Sequence, residues 1–348
     1  MSLTLPAIPA VDKAAADAAR ARQDTLTKPG GSLGRLEDLS VQLAAITGQS
    51  RPSVARKAVI VMAGDHGVTS EGVSAYPSEV TPQMVLNFLH GGAAINVLAR
   101  QVQARVVVVD IGVAADMEPM PGLLQRKVAH GTKNMVQGPA MTRAEAETAI
   151  GVGLDVVQAE IAKGLDLVAT GDMGIGNTTP SAAMAAVMTG RPVAQVTGRG
   201  TGVDDAGLSR KVAMIERAIA VNRPDPKDAL DVVTKVGGFE IAGLAGVILG
   251  AAAHRVPVVI DGFISGAAAL LAAGLQPDVK PYLIAAHQSV EIGHRAMLEL
   301  LGLRPLFDLG LRLGEGTGAA LAFHIVEASA RVLNEMATFA DANVSEKS

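Results

Sequence analysis

Apolar residues fall along this chain in short blocks that alternate with longer stretches of helical character. Five blocks are dense in β-branched or other aliphatic side chains, and each runs into a polar or glycine-rich turn: KAVIVMAGDHG, RVVVVDIGV, LDLVATGDMGIGN, VPVVIDGF and PYLIAAHQS. A strand buried on both faces needs such an unbroken apolar run, and a helix-length segment after each predicts β-α units in a parallel sheet. The fold class is α/β. Ligands of open parallel sheets bind outside the carboxyl ends of the strands, so the five turns are candidates as a set.

The two ends of the chain read differently. VDKAAADAARARQDTLTKPGGSLGRLEDLSVQLAAIT precedes the first strand and predicts two helices joined by the breaker KPGGSLG. After the last strand the pattern is again helical. Residues 1–55 and 288–348 are expected to form a small helical domain and residues 56–287 the large α/β domain. The polar tail DANVSEKS is expected to fray. No internal repeat is visible.

Composition narrows the picture. Of 348 residues, 49% are apolar but only 2% aromatic, with two Tyr, six Phe and no Trp. The core must be filled by Ala, Val, Leu, Ile and Met, which suits close helix-on-sheet packing. A net charge of −4 without basic clusters argues against nucleic acid as a partner. The absence of cysteine removes a disulfide framework, a thiolate nucleophile and a zinc-thiolate site. The charge-free runs from Ile241 to Ala253 and from Gly262 to Leu275 are shorter than the roughly 18 residues of a membrane span. They predict buried helices, and no membrane partner is expected. The N-terminus lacks the basic-then-apolar order of a signal peptide, which predicts a cytoplasmic protein.

Three glycine loops carry candidate chemistry. GDMGIGNTTPSAAMAAVM leaves a strand, offers Gly174 and Gly176 for close backbone approach, and opens a helix through Asn177, Thr178 and Thr179. Amides and hydroxyls at a helix N-terminus make a phosphate cradle; the plainer alternative is an ordinary Asn/Thr cap. GRGTGVDDAGLSRKVAMIERAI repeats that logic, with Asp204 and Asp205 for the first helical turn and Lys211 two turns on, either a phosphate ligand or a solvated lysine. RLGEGTG, Arg312 to Gly318, sets Glu315 directly ahead of an apolar helical run. A fixed negative charge gains a phosphate cradle nothing, so Glu315 reads as a base beside the phosphate rather than a helix-dipole carboxylate.

Other chemistries fit less well. GEGTGA satisfies a loose dinucleotide fingerprint but precedes no second strand, which argues against a nucleotide-dependent oxidoreductase. No GxSxG elbow is present, and VVVVDIG supplies only Asp110 where a Mg²⁺-pyrophosphate site needs an acidic pair. The histidines lack metal-ligand spacing, so neither metal nor cofactor is expected. Asp65 and His66, at a strand's carboxyl end, are expected to line the cleft.

Taken in order, KPGGSLGRLEDL, GDHGV, GDMGIGNTT, GRGTGVDD, DGFISGAAALLA, AHQS and LGEGTGAALA closely resemble the nicotinate-nucleotide:dimethylbenzimidazole phosphoribosyltransferase family of cobalamin biosynthesis, over residues 24 to 325. The resemblance implies a cytoplasmic homodimer with a Rossmann-like sheet of six parallel strands. Its implied partners are nicotinate mononucleotide and 5,6-dimethylbenzimidazole. It also implies that Glu315 is the catalytic base, and that Asp172, Gly174, Gly176, Asn177, Thr178, Gly200 and Lys211 hold phosphate and ribose. Ser78 and Leu313 then belong to an aliphatic, methionine-lined base pocket. Asp172 stands where the family has Glu or Asp, and the shorter side chain alters its reach. A non-catalytic sensor of cobalamin precursors would keep the phosphate loops without needing Glu315.

Overall fold

A computed structural model of the chain describes residues 3–345, so the last three residues of the polar tail lie outside the described part. Six strands, β1 (Lys57–Gly64), β2 (Ala104–Gly112), β3 (Leu123–Gln125), β4 (Leu167–Met173), β5 (Val258–Ile260) and β6 (Leu283–Ala285), form one sheet. Their order is β3-β2-β1-β4-β5-β6 and every neighbouring pair is parallel. Five strands come from the five apolar blocks. The sixth, β3, is Leu-Leu-Gln, as short as β5 and β6 but without a flanking apolar run. This is the Rossmann strand order, and the direction of winding reverses between β1 and β4, which is where such sheets open a crevice.

Both faces of the sheet are buried, and β1 shows how. Val59, Val61 and Ala63 enter one core, whereas Ala58, Ile60 and Met62 enter the other. This is the two-residue alternation of a strand, with apolar side chains on both sides. The first face is covered by helices Arg35–Thr47, Val80–Leu89, Ala94–Gln101 and Thr317–Glu335, through Leu39, Phe88, Ile95 and Phe323. The second is covered by Arg143–Ala162, Thr178–Thr189, Phe239–Ala253 and Phe263–Leu275.

The last two of these are the charge-free runs, and they are buried almost throughout. Among the described residues no helix is long and apolar enough to cross a membrane. The scarcity of aromatic side chains has its counterpart here. A Cβ placed on Gly153 would collide with the Gly243 carbonyl oxygen, so helices Arg143–Ala162 and Phe239–Ala253 meet backbone to backbone. Larger side chains would force them apart.

At the chain ends, helices Lys13–Thr25 and Arg35–Thr47 flank KPGGSLG. Glu37 closes that segment: its carboxylate accepts from the Gly31 and Leu33 amides at 3.2 and 3.0 Å and pairs with Lys28 at 2.9 Å. Ala19, Ala44 and Leu333 bring both helices onto the C-terminal helix Thr317–Glu335.

Candidate active site

The carboxyl ends of β4, β5 and β6 surround a cleft of about 450 Å³. Its polar wall carries Asp172, Asn177, Thr178, Gly200, Glu291 and Glu315; its apolar side carries Tyr76, Val80, Met84, Met173, Ile175 and Leu313. The lining thus mixes groups for a charged, hydroxylated ligand with groups for a flat apolar one.

Glu315 is held in an unusual backbone conformation. Its φ is 62°, in the left-handed region that costs a residue with a side chain roughly 1–2 kcal/mol. Three contacts hold it there. Its N–H donates to the Asp172 carbonyl at 3.3 Å. Its own carbonyl presses on Gly171, where there is no room for a Cβ. Asp261, at the end of β5, accepts from the Gly316 and Ala319 amides at 3.2 and 2.9 Å, tying down the first turn of the helix that follows. The Glu315 carboxylate reaches across to the start of helix Ala94–Gln101 and accepts from the Ile95 N–H at 3.1 Å.

Of the three cleft carboxylates, Glu315 and Asp172 sit in different environments. Burial raises the pKa of Glu315, an effect opposed by the Ile95 amide and reinforced by the charge of Asp261. Asp172 is raised well above the usual range, first by complete burial and then by Asp261 and Glu240; the Asn177 amide opposes this and Glu315 adds to it. Carboxyl groups pushed apart in this way divide into a proton holder and a base. Asp261 itself is raised by burial, against the charge of His287, whose Nε2 lies 3.7 Å away, and against the amides it accepts from.

Asn177 is not a side-chain helix cap. Its side chain makes no capping bond to helix Thr178–Thr189. Instead its Nδ2 donates to Asp172 Oδ2 at 2.9 Å. Asn177 and Thr178 line the cleft at the start of that helix, which has no side-chain cap. Thr178 lines the cleft, and behind it Lys211 Nζ donates to Thr178 Oγ1 at 2.6 Å. Lys211 is 1% exposed, which removes the solvated-lysine reading. Burial pushes its pKa down to about 8, with Glu291 opposing. Asp204 caps helix Asp205–Asn222 through the Gly207 amide, and Asp205 pairs with Arg199.

Other expected residues lie elsewhere. Gly176 sits in the cradle loop without facing the cleft. Ser78 stands behind the wall, with its hydroxyl 3.2 Å from that of Thr69, while Leu313 is at the mouth and exposed. Asp65 and His66 do not line the cleft, contrary to expectation, because the Gly174 loop covers them; a Cβ on Gly174 would lie 3.3 Å from His66 Nε2. His66 Nε2 is 3.0 Å from Glu240 Oε1, and Asp65 accepts from the Ala114 amide at 2.8 Å. KPGGSLG does not reach the cleft. No group of three or more metal-ligating side chains occurs among the described residues.

Sequence reasoning missed Tyr76, Met84, Glu291 and Arg312 as cleft residues. Only Arg312 had a signal, its place in the Glu315 loop. Asp261 was also missed, although an acid at the end of an apolar strand marks a carboxyl-edge position.

The chain matches a family described as phosphoribosyltransferase over residues 8–344. A Roseiflexus castenholzii protein named nicotinate-nucleotide–dimethylbenzimidazole phosphoribosyltransferase is 64% identical over 344 residues, covering 99% of this chain and 98% of that one. A Dehalococcoides mccartyi protein of the same name is 59% identical over 347 residues, covering 100% and 99%. The crystal structure of CobT from Thermus thermophilus superposes with a TM-score of 0.93 at 51% identity, over 96% of this chain and 100% of that one. The chain belongs to this phosphoribosyltransferase family.

Proposed function

We propose that this family member transfers the 5-phosphoribosyl group of nicotinate mononucleotide to 5,6-dimethylbenzimidazole, giving α-ribazole 5′-phosphate and nicotinate. One observation carries the reading: a single cleft is lined by the start of a helix backed by a buried lysine, by two unequally perturbed carboxylates and by apolar side chains.

In this reading the first turn of helix Thr178–Thr189, with Lys211 and the Gly200 loop, takes the 5′-phosphate. Benzimidazole fits among Val80, Met84, Met173 and Leu313. The lone pair of one benzimidazole nitrogen forms the new bond to the anomeric carbon. The bond to nicotinate breaks on the opposite side, and its electron pair returns to the pyridinium ring. That return neutralises the leaving group, so its departure needs no general acid. Attack from the far face converts β to α configuration without a covalent enzyme intermediate. The proton on the other benzimidazole nitrogen passes to Glu315, whose carboxylate also stabilises the positive charge developing on the ring. Asp172, the more strongly raised acid, faces the ribose.

The same reading makes the protein a cytoplasmic homodimer. Tyr76 and Leu313 at the cleft mouth are exposed, as are Val290, Ile292 and Leu309, and the Val290 amide donates to the Leu311 carbonyl beside Leu313. A second copy would cover these side chains.

Incubation of purified protein with both substrates, without added metal, tests the reaction. Stoichiometric nicotinate and α-ribazole 5′-phosphate are expected by chromatography. Binding of both substrates without nicotinate release would turn the reading towards a sensor.

A further inference from the structure

We propose that Glu291 is a positioning residue for the phosphoribosyl donor, acting through the glycine loop from Gly198 to Gly202. The inference rests on the transferase reading above and adds to it the element that shapes the phosphate end of the cleft.

Glu291 stands at the start of helix Ile292–Leu301, buried against the cleft wall. Its Oε1 accepts from the Gly200 N–H at 2.8 Å. Its Oε2 is buried without a hydrogen-bond partner, in the position that a Cβ of Gly198 would need. Gly198 is thus the space into which the carboxylate fits. On the other side of the loop, Arg312 Nη1 donates to the Gly200 carbonyl at 3.1 Å. The N–H and the carbonyl of one glycine are therefore both fixed by charged side chains from distant parts of the chain.

Gly200 is the point at which this matters. A Cβ there would lie 2.6 Å from Thr178 Oγ1 and 3.0 Å from Lys211 Nζ, so the loop forms one wall of the phosphate cradle. The loop is neither helix nor strand; its own turn is closed only at the far end, by the Gly202 and Val203 amides donating to the Arg199 carbonyl, and the left-handed φ of 53° at Gly200 is held by Glu291 and Arg312. A carboxylate next to an anion site is unfavourable unless it does something the site needs. Here it sets the wall and opposes the loss of charge that burial imposes on Lys211.

Three variants test the proposal. Glu291→Ala removes the clamp, Gly198→Ala displaces the carboxylate, and Glu291→Gln keeps an oxygen for the Gly200 amide. The first two are expected to raise KM for nicotinate mononucleotide roughly tenfold or more, the scale of a lost hydrogen bond to a charged group. KM for 5,6-dimethylbenzimidazole and kcat should change less than about twofold, and Glu291→Gln should stay within about threefold of wild type. An unchanged donor KM would overturn the proposal. So would a parallel change in both KM values and kcat with a lowered Tm, the mark of a purely structural role. Calorimetric binding of inorganic phosphate separates this idea from the transferase reading. Weaker phosphate binding in Glu291→Ala supports the clamp even if wild type releases no nicotinate, and equal binding sinks it.

Discussion

The amino end of the sheet and the cleft handle acids in opposite ways, whereas Asp110 at the carboxyl end of β2, outside the cleft, still pairs with Lys127 at 3.0 Å. At the amino end, buried and half-buried carboxylates meet cations. Glu160 meets Arg105 at 2.9 Å and Lys163 at 2.7 Å, Asp166 meets Arg56 at 2.6 Å, and Lys57 reaches Glu327 at 2.6 Å. At the carboxyl end, Asp172, Glu240, Asp261 and Glu315 are buried, and among the described residues none pairs with a lysine or arginine. Glu240 and Asp261 have only histidines near them. Pairing lowers the pKa of Asp166 through Arg56 despite its partial burial, whereas the unpaired Asp172 and Glu315 are raised. The same residue types are structural at one edge and, in the proposed reaction, reactive at the other. Electrostatic stability is given up where a base of raised pKa is useful.

The largest break in this comparison is Glu315→Gln. Removing a general base lowers kcat by about 10²–10⁴-fold, with substrate binding retained, in a steady-state assay of nicotinate release. The reacting form of Glu315 is ionised, and burial raises its pKa above the ordinary 4.5. The acid limb of kcat/KM therefore lies above pH 4.5, rate falling tenfold per unit below it, and this limb should be missing from the residual activity of Glu315→Gln. A limb at the ordinary glutamate value would assign the base elsewhere. At the opposite edge, Lys57→Met leaves Glu327 without its cation. Unfolding by urea should show a loss of about 1 kcal/mol, since Glu327 is partly solvated, while kcat stays at the wild-type value. A fall in turnover would mean that the edges are not independent.

How far the sequence disclosed this asymmetry depends on distance along the chain. The five strands other than β3, their carboxyl-edge turns and both N-terminal helices were legible, because each lies in a local pattern of apolar spacing and glycine. β3 was not, since its Leu-Leu pair stands between Pro121-Gly122 and Arg126-Lys127, whereas the equally short β5 and β6 lie inside longer apolar runs. Glu315, Asp172 and the Gly174–Thr178 loop stood out because glycines next to strand ends have few other uses. Their functional roles came from the family resemblance. Glu291, Tyr76 and Met84 come from segments far from those loops, and only the folded sheet brings them to the cleft. The placement of Asp65 and His66 in the cleft failed for the same reason: nothing local shows that the Gly174 loop lies over them. Asn177 looked like a helix cap by type, and only the neighbouring Asp172 draws its side chain away.

The most direct test of the asymmetry is the thermal unfolding of Asp172→Asn against wild type across pH. Burial raises the folded-state pKa of Asp172 above its ordinary 3.8. Its cost to stability is therefore absent below about pH 4 and grows as pH rises towards the folded value. The variant, which can still accept from Asn177, should melt about 2 °C or more above wild type at pH 7, lose that advantage near pH 4, and turn over slowly. A variant that melts below wild type at pH 7 would show that Asp172 contributes to stability, and would contradict the account.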